Sequence, residues 1–141
     1  MILYLDMPTY LARYLLHLTG GIEPVILRKH SAILAIIKNE AQKPPKHYKP
    51  DLPRKGALAI EVGETILGRP YVPPYTRAAI KHIIKNTLDT AMLIRVAHRK
   101  EPSEAKALEA FVSENHIGAA YTDTIRKRYY RLKLKNKQKT L

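Results

Sequence analysis

Cysteine and tryptophan are absent from this sequence of 141 residues, and Phe111 is its one phenylalanine. Without cysteine the chain has no disulfides, no thiolate zinc sites, no iron–sulfur clusters and no thiol nucleophile. No stretch approaches the roughly 18 consecutive apolar residues of a membrane-spanning helix. The amino end also lacks the basic start of a signal peptide. We therefore expect a soluble, cytoplasmic protein.

Acidic residues are scarce as well. Twelve Asp and Glu stand against 25 Lys and Arg, which gives a net charge of +13. The excess is uneven, because residues 121–141 carry eight bases and one acid, whereas residues 101–120 carry one base and four acids. Such asymmetry indicates a localised surface for binding anions. A solvated basic tail is the plainer alternative.

Short apolar elements fill the first half of the chain. Apolar runs predict strands over residues 2–5, 24–27 and 56–62, and helical spacing predicts helices over about 8–18 and 32–41. The run over residues 56–62 is almost continuously apolar, which predicts a central strand in a small sheet. Asp6 or Thr9 is the expected N-cap of the first helix, and Ser31 of the second.

A longer helix is predicted from Tyr75 or Thr76 to about residue 100, with Thr76 as its cap. The apolar stripe of this helix is broad, which also suggests that the protein forms a homodimer through it. The predicted apolar stripe comprises Ile80, Ile83, Ile84, Leu88, Ala91 and Ile94 or Arg95.

Two more helices follow. Ser103 is the predicted cap of an acidic helix that reaches about Asn115, and Gly118 marks the turn to a basic helix. On the basic helix one side is apolar at spacings of i, i+4, i+8 and i+11, so it is suited to pack on a core. The residues of that side are Tyr121, Ile125, Tyr129 and Leu132.

Together these elements predict an α+β fold with two parts. Residues 1–70 form a small α/β part with about three strands and two helices, and residues 75–135 form a basic, three-helix part. Residues 136–141 are expected to be a disordered tail. Between the second helix and the central strand, the proline-rich segment 43–55 is predicted to be irregular.

The order of helix, turn with Gly118 and basic helix resembles the helix-turn-helix DNA-binding proteins of phages and mobile elements. The resemblance covers about residues 76–135. In that family the second helix enters the major groove and the first braces it against the DNA backbone. The sequence departs from the family at Glu114, where a small residue is usual, and at Thr124, where an apolar one is usual and Ile125 follows.

The resemblance implies which side chains meet DNA. Those near the start of the basic helix would lie nearest base edges, namely Thr122, Asp123, Arg126 and Lys127. Those further along would hold phosphates, namely Arg128, Arg131, Lys133 and Lys135, with Tyr130 stacking or bonding a phosphate. Contact with about six phosphates would give a slope near −5 for log affinity against log salt.

The proline-rich segment offers a second candidate contact. Lys46 and Lys49 flank Tyr48 there, and a tyrosine among lysines can stack on a base while the lysines bind phosphates. A plain surface connector is the alternative interpretation of the same residues.

Catalytic functions find less support in the sequence. Asp51 and Glu61 resemble the acidic pair of restriction-like nucleases, but Gly63 stands where the nuclease lysine should be. The six histidines form no zinc-binding motif, so we predict no metal and no cofactor. We expect a non-catalytic protein that binds double-stranded DNA as a transcriptional regulator or accessory factor. Binding of RNA or ribonucleoprotein, and a structural or assembly role, are the alternatives.

Overall fold

The computed structural model describes residues 2–27, 31–49, 52–62 and 71–139, and the predicted α+β architecture is confirmed. The chain forms two compact units, unit 1 (Met1–Ile84) and unit 2 (Lys85–Leu141). In chain order the elements are β1 (Ile2–Asp6), α1 (Thr9–Leu18), β2 (Val25–Ile26), α2 (Ala32–Glu40), β3 (Ala57–Glu61), α3 (Pro74–Ala97), α4 (Glu104–Glu114) and α5 (Thr122–Lys139), with a 3₁₀ turn over Ala119–Tyr121.

Unit 1 contains a three-stranded sheet with the order β1-β3-β2, so β3 is the central strand, as the sequence predicts. β1 is antiparallel to β3 and β2 is parallel to it, and Ile60 of β3 lies opposite both Leu3 and Val25. Along β1, buried Leu3 and Leu5 alternate with residues that point to the other face. Tyr4 and Asp6 occupy that second, more open face of β1.

Two of the predicted helix caps are confirmed. The Ser31 hydroxyl accepts the Leu34 N–H at 3.1 Å at the start of α2, and the Ser103 hydroxyl accepts the Lys106 N–H at 3.2 Å at the start of α4. The prediction of Asp6 or Thr9 as the cap of α1 is wrong, because the N-cap is Pro8, which makes no side-chain hydrogen bond.

The apolar stripe of α3 differs from the predicted one beyond Leu88. The buried residues are Ile80, Ile84, Leu88, Met92 and Val96, and Ile94 is 56% exposed. A step of four residues turns the stripe by about 40° around the helix each time, so its later members lie far from Ile94. The stripe is buried within the chain, so it no longer supports the predicted homodimer.

The start of α3 also differs from prediction. Thr76 is not a cap, because α3 begins at Pro74 and Thr76 is buried in its first turn. The Thr76 and Arg77 N–H groups each donate to the Pro73 carbonyl at 3.1 Å. The two units divide inside α3 rather than at residues 70–75, because the first part of α3 belongs with the sheet. At the other end, α5 continues to Lys139, so residues 136–139 of the predicted tail are helical.

Candidate nucleic-acid interface

The connection between α4 and α5 is longer than the three or four residues of a tight helix-turn-helix. α4 ends in a Schellman motif, in which the His116 N–H donates to the Ser113 carbonyl and the Ile117 N–H to the Val112 carbonyl. The residue that holds the left-handed conformation after α4 is His116 (φ 54°). Gly118 (φ 107°) lies two residues later and leads into the 3₁₀ turn.

The inner side of α5 is the predicted one. Ile125 is fully buried and Tyr129 is 6% exposed, while Tyr121 and Leu132 are half-buried. Burial, together with the neighbouring Glu104 carboxylate, raises the pKa of Tyr129 to about 12. Tyr129 is therefore a neutral core residue.

Two predicted phosphate contacts of α5 lie on its flanks, where each forms an ion pair within unit 2. Arg128 makes a two-pronged contact with Asp89 of α3, with Nη2 and Oδ2 2.9 Å apart. Lys133 Nζ lies 2.7 Å from Oε1 of Glu104 on α4, and this hydrogen bond lowers the pKa of Glu104. These pairs fix α5 to the other two helices. Sequence reasoning missed Asp89 because it lies 39 residues from Arg128.

Arg95, near the end of α3, forms ion pairs with one acid just before α4 and with another at the end of α4. Its guanidinium donates two hydrogen bonds of 2.7 Å to Glu101 and further ones of 3.0 to 3.3 Å to Glu114. The Arg95 hydrogen bonds lower the pKa of Glu101 to about 2. Glu114, which stands where the helix-turn-helix family has a small residue, is therefore used to position α4 on α3.

Every acidic side chain of unit 2 has a basic partner. Unit 2 has thirteen Lys and Arg against six Asp and Glu, an excess of seven positive charges. The paired acids are Asp89, Glu101, Glu104, Glu109, Glu114 and Asp123. No Asp or Glu side chain of unit 2 is left to neutralise the remaining bases, so the surface that they occupy is cationic.

Three of those bases form a row on the outer side of α5, which we call the basic ridge. Lys127, Arg131 and Lys135 are four residues apart, so they lie one above another on the helix surface. All three are exposed, and none forms an ion pair with any residue of the described ranges. Tyr130 (42% exposed) and Leu134 (62% exposed) stand beside the ridge. The Tyr130 ring also packs edge-on against Tyr129, with ring centroids 5.4 Å apart.

The residues at the start of α5 that are predicted to contact DNA bases differ in their exposure to solvent. Asp123 is exposed and lies 3.7 Å from Arg126, whose side chain is 38% exposed. Thr122 is half-buried, and its hydroxyl donates a hydrogen bond to the Ala119 carbonyl at 2.9 Å. The hydroxyl is therefore used within the 3₁₀ turn. Of the four side chains predicted near base edges, Asp123 and Lys127 are the most exposed.

The second predicted contact lies in unit 1. Lys46 and Lys49 are exposed, and Tyr48 is half-buried with its ring packed at 72° against Tyr71, 5.1 Å away. Tyr48 is thus part of an aromatic pair rather than a free stacking platform.

The nuclease interpretation gains nothing from the described part of the chain. Glu61 is exposed at the end of β3, and Asp51 and Gly63 lie outside the described residues. Within the described ranges, no group of three or more His, Cys, Asp or Glu side chains is arranged to hold a metal ion. None of the helices in these ranges has the length and apolar character needed to cross a membrane.

Comparison of the chain with protein-family models, curated proteins and solved structures finds no match in any of the three. Functional inference therefore depends on the geometry and charge of the two units themselves.

Proposed function

We propose that unit 2 binds double-stranded DNA through the basic ridge of α5, in a non-catalytic role as a regulator or accessory factor. The observation that carries the proposal is that all six acids of unit 2 are paired, while Lys127, Arg131 and Lys135 have no ion pair among the described residues. A row of exposed cations on a helix braced by two others suits a regular line of phosphates.

The flanking ion pairs support a duplex as the target. Arg128 and Lys133 hold α5 against α3 and α4, so the ridge is carried by a braced element. A pre-ordered helix loses little conformational entropy on binding, and its width matches the DNA major groove. We assign phosphate contacts to Lys127, Arg131 and Lys135, a supporting position to Tyr130, and structural ion pairs to Arg128 and Lys133.

The test compares a ridge variant, Lys127→Ala/Arg131→Ala/Lys135→Ala, with the wild type. We expect the ridge variant to lose at least tenfold in affinity for a duplex of about 20 base pairs, while its thermal unfolding stays within a degree or two of the wild type. Loss of three exposed charges removes phosphate contacts and no core packing. Fluorescence anisotropy gives the affinity, and circular dichroism gives the unfolding temperature.

The control variant Lys85→Ala/Lys100→Ala/Lys106→Ala removes the same charge from unit 2 outside α5. It is expected to bind duplex nearly as the wild type does, since the position of the charges matters and not their number alone. Equal losses in the two variants would show that net charge, and not the ridge, is responsible. The same series with single-stranded DNA and with RNA separates the alternatives: a preference for RNA would contradict the assignment to duplex DNA.

A further inference from the structure

The outer side of α5 carries exposed apolar side chains that phosphate binding by the basic ridge does not explain. Among the large hydrophobic side chains of this helix, Tyr130 is 42% exposed and Leu134 is 62% exposed. Leu134 follows Ile125 by about two and a half helical turns, so it lies on the opposite side of α5 from that buried residue. Leu134 therefore contributes little to the packing of α5 on the rest of unit 2. We call Tyr130 and Leu134 the apolar pair.

The apolar pair runs alongside the basic ridge. Tyr130 follows Lys127 by three residues, and Leu134 follows Arg131 by three residues. Side chains at that spacing are neighbours on the surface of a helix. Tyr130 and Leu134 are themselves four residues apart, the same step that separates the residues of the ridge. The exposed face of α5 therefore has two parallel rows, one cationic and one apolar.

The Tyr130 ring is held by its neighbour in the chain. It packs edge-on against the ring of Tyr129, with the ring planes at 67° and the centroids 5.4 Å apart. Tyr129 is 6% exposed and belongs to the core, so the buried ring orients the exposed one. A side chain that is ordered before contact loses little conformational entropy when a partner covers it.

The charge beside the apolar pair restricts what can cover it. A second copy of the chain would bring a ridge of the same charge toward Lys127, Arg131 and Lys135, which opposes self-association. A helix that binds a membrane surface needs a broad apolar face, whereas the broad apolar side of α5 is buried in unit 2 through Ile125 and Tyr129. The partner that fits is a polyanion with small apolar groups close to its phosphates.

Double-stranded DNA is such a polyanion. The C5-methyl group of thymine projects into the major groove, where apolar side chains contact it. Uracil in RNA lacks this methyl group, and side chains cannot read the deep, narrow major groove of an RNA helix. The two residues of the apolar pair are about 6 Å apart along the axis of α5, which is close to the roughly 7 Å between bases two steps apart on a DNA strand.

We infer that the apolar pair reads thymine methyl groups in the major groove, with Leu134 as the specificity-determining residue and Tyr130 beside it. When the basic ridge lies along the phosphates of one strand, the parallel apolar row faces the neighbouring base edges. Reading of thymine in this way rests on the proposed duplex binding by the ridge. It adds the base that unit 2 selects.

The test compares two duplexes that differ only in the methyl group, alternating poly(dA-dT) and alternating poly(dA-dU). Each strand carries thymine or uracil at every second position, so every register of binding meets one. We expect the full-length wild type to prefer the thymine duplex by about fourfold if one methyl group is buried and by about fifteenfold if two are. Leu134→Ala should reduce that preference about fourfold, mainly through weaker binding of the thymine duplex. Fluorescence anisotropy with a labelled competitor duplex gives both affinities.

Ile94→Ala is the matched control, because Ile94 is an aliphatic residue of α3 in the same unit and is 56% exposed. This control should keep the wild-type preference for thymine. The ridge variant should lose affinity for both duplexes by the same factor, because their phosphates are identical.

Equal affinity of the wild type for the two duplexes would overturn the inference and leave duplex binding by the ridge in place. An equal fall in preference in Leu134→Ala and Ile94→Ala would do the same. A wild-type dimer that Leu134→Ala converts to a monomer would assign the apolar pair to a second copy of the chain, which also overturns it. Failure of the wild type to bind either duplex at low salt would contradict the proposed function itself, and thymine reading with it.

Discussion

The arginines of the two units have different kinds of hydrogen-bond partner. In unit 2 the bases that pack between helices, such as Arg95 and Arg128, are bound to carboxylates, which cancel their charge. In unit 1, Arg54 and Arg77 each donate a hydrogen bond to one backbone oxygen, the Tyr4 carbonyl, and Arg54 also forms an exposed ion pair with Asp6. Ion pairs therefore hold the helices of unit 2 together, whereas in unit 1 the backbone of an edge strand orients the two arginines.

Neighbouring bases of α5 also differ in their surroundings. Arg128 faces Asp89 and contributes to packing, whereas Arg131, three residues later, faces solvent and contributes to the surface. A count of positive charges does not separate these two roles. The distinction can be tested by exchanging one residue at a time and measuring stability and binding together.

The largest stability effect is expected for Arg128→Ala. It leaves Asp89, whose side chain is 13% exposed, without its partner, and an unpaired and largely buried carboxylate costs about 1–3 kcal/mol. Chemical denaturation should show this loss in the free energy of unfolding, while duplex affinity at a temperature well below unfolding changes less than twofold.

Arg131→Ala is the matched control for that variant, since it removes the same side chain from the same helix. It should lower duplex affinity several-fold with an unfolding free energy within about 0.5 kcal/mol of the wild type. If Arg128→Ala instead weakened duplex binding more than Arg131→Ala, the assignment of Arg128 to packing would be wrong.

A smaller effect is expected for Arg54→Ala in unit 1. Its side chain is 49% exposed, and its contacts with the Tyr4 carbonyl and Asp6 are open to water. We expect a loss of under about 1 kcal/mol in unfolding free energy. A stability loss as large as that of Arg128→Ala would contradict the contrast between the two units.

The smallest effect concerns pH. The folded-state pKa of Glu101 is lowered to about 2 from an ordinary value of 4.5, because Arg95 hydrogen-bonds its carboxylate. Its contribution to stability is therefore complete above pH 4.5 and is lost as the pH falls toward 2. The difference in melting temperature between the wild type and Glu101→Gln should shrink across that window. A difference that stays constant from pH 7 to pH 2 would show that the Arg95–Glu101 pair contributes nothing through its charge.

Local patterns predicted the parts of the fold that local chemistry decides. Ser31 and Ser103 cap helices because a serine hydroxyl just before a helix can accept a hydrogen bond from a backbone N–H group of the first turn. The almost continuous apolar run of β3 indicated a central strand because a strand covered on both sides has few polar positions.

Long-range contacts were beyond the reach of those patterns. Arg77 meets the Tyr4 carbonyl across 73 residues and Arg128 meets Asp89 across 39, and no spacing rule connects them. The sequence therefore predicted six α5 bases on one binding surface, although Arg128 and Lys133 form ion pairs with acids of α3 and α4. The turn was predicted at Gly118, and nothing in the sequence indicated the left-handed His116 that ends α4, because residues other than glycine rarely adopt that conformation.

The most direct test of the account is the salt dependence of duplex binding in the wild type and in the ridge variant. Each phosphate contact contributes roughly 0.9 to the slope of log affinity against log salt, so three lost contacts should make the ridge variant's slope shallower by about 2.7. The account predicts that difference, with the Lys85→Ala/Lys100→Ala/Lys106→Ala control keeping the wild-type slope. Parallel salt plots for the wild type and the ridge variant would contradict it, because they would show that Lys127, Arg131 and Lys135 meet no phosphates.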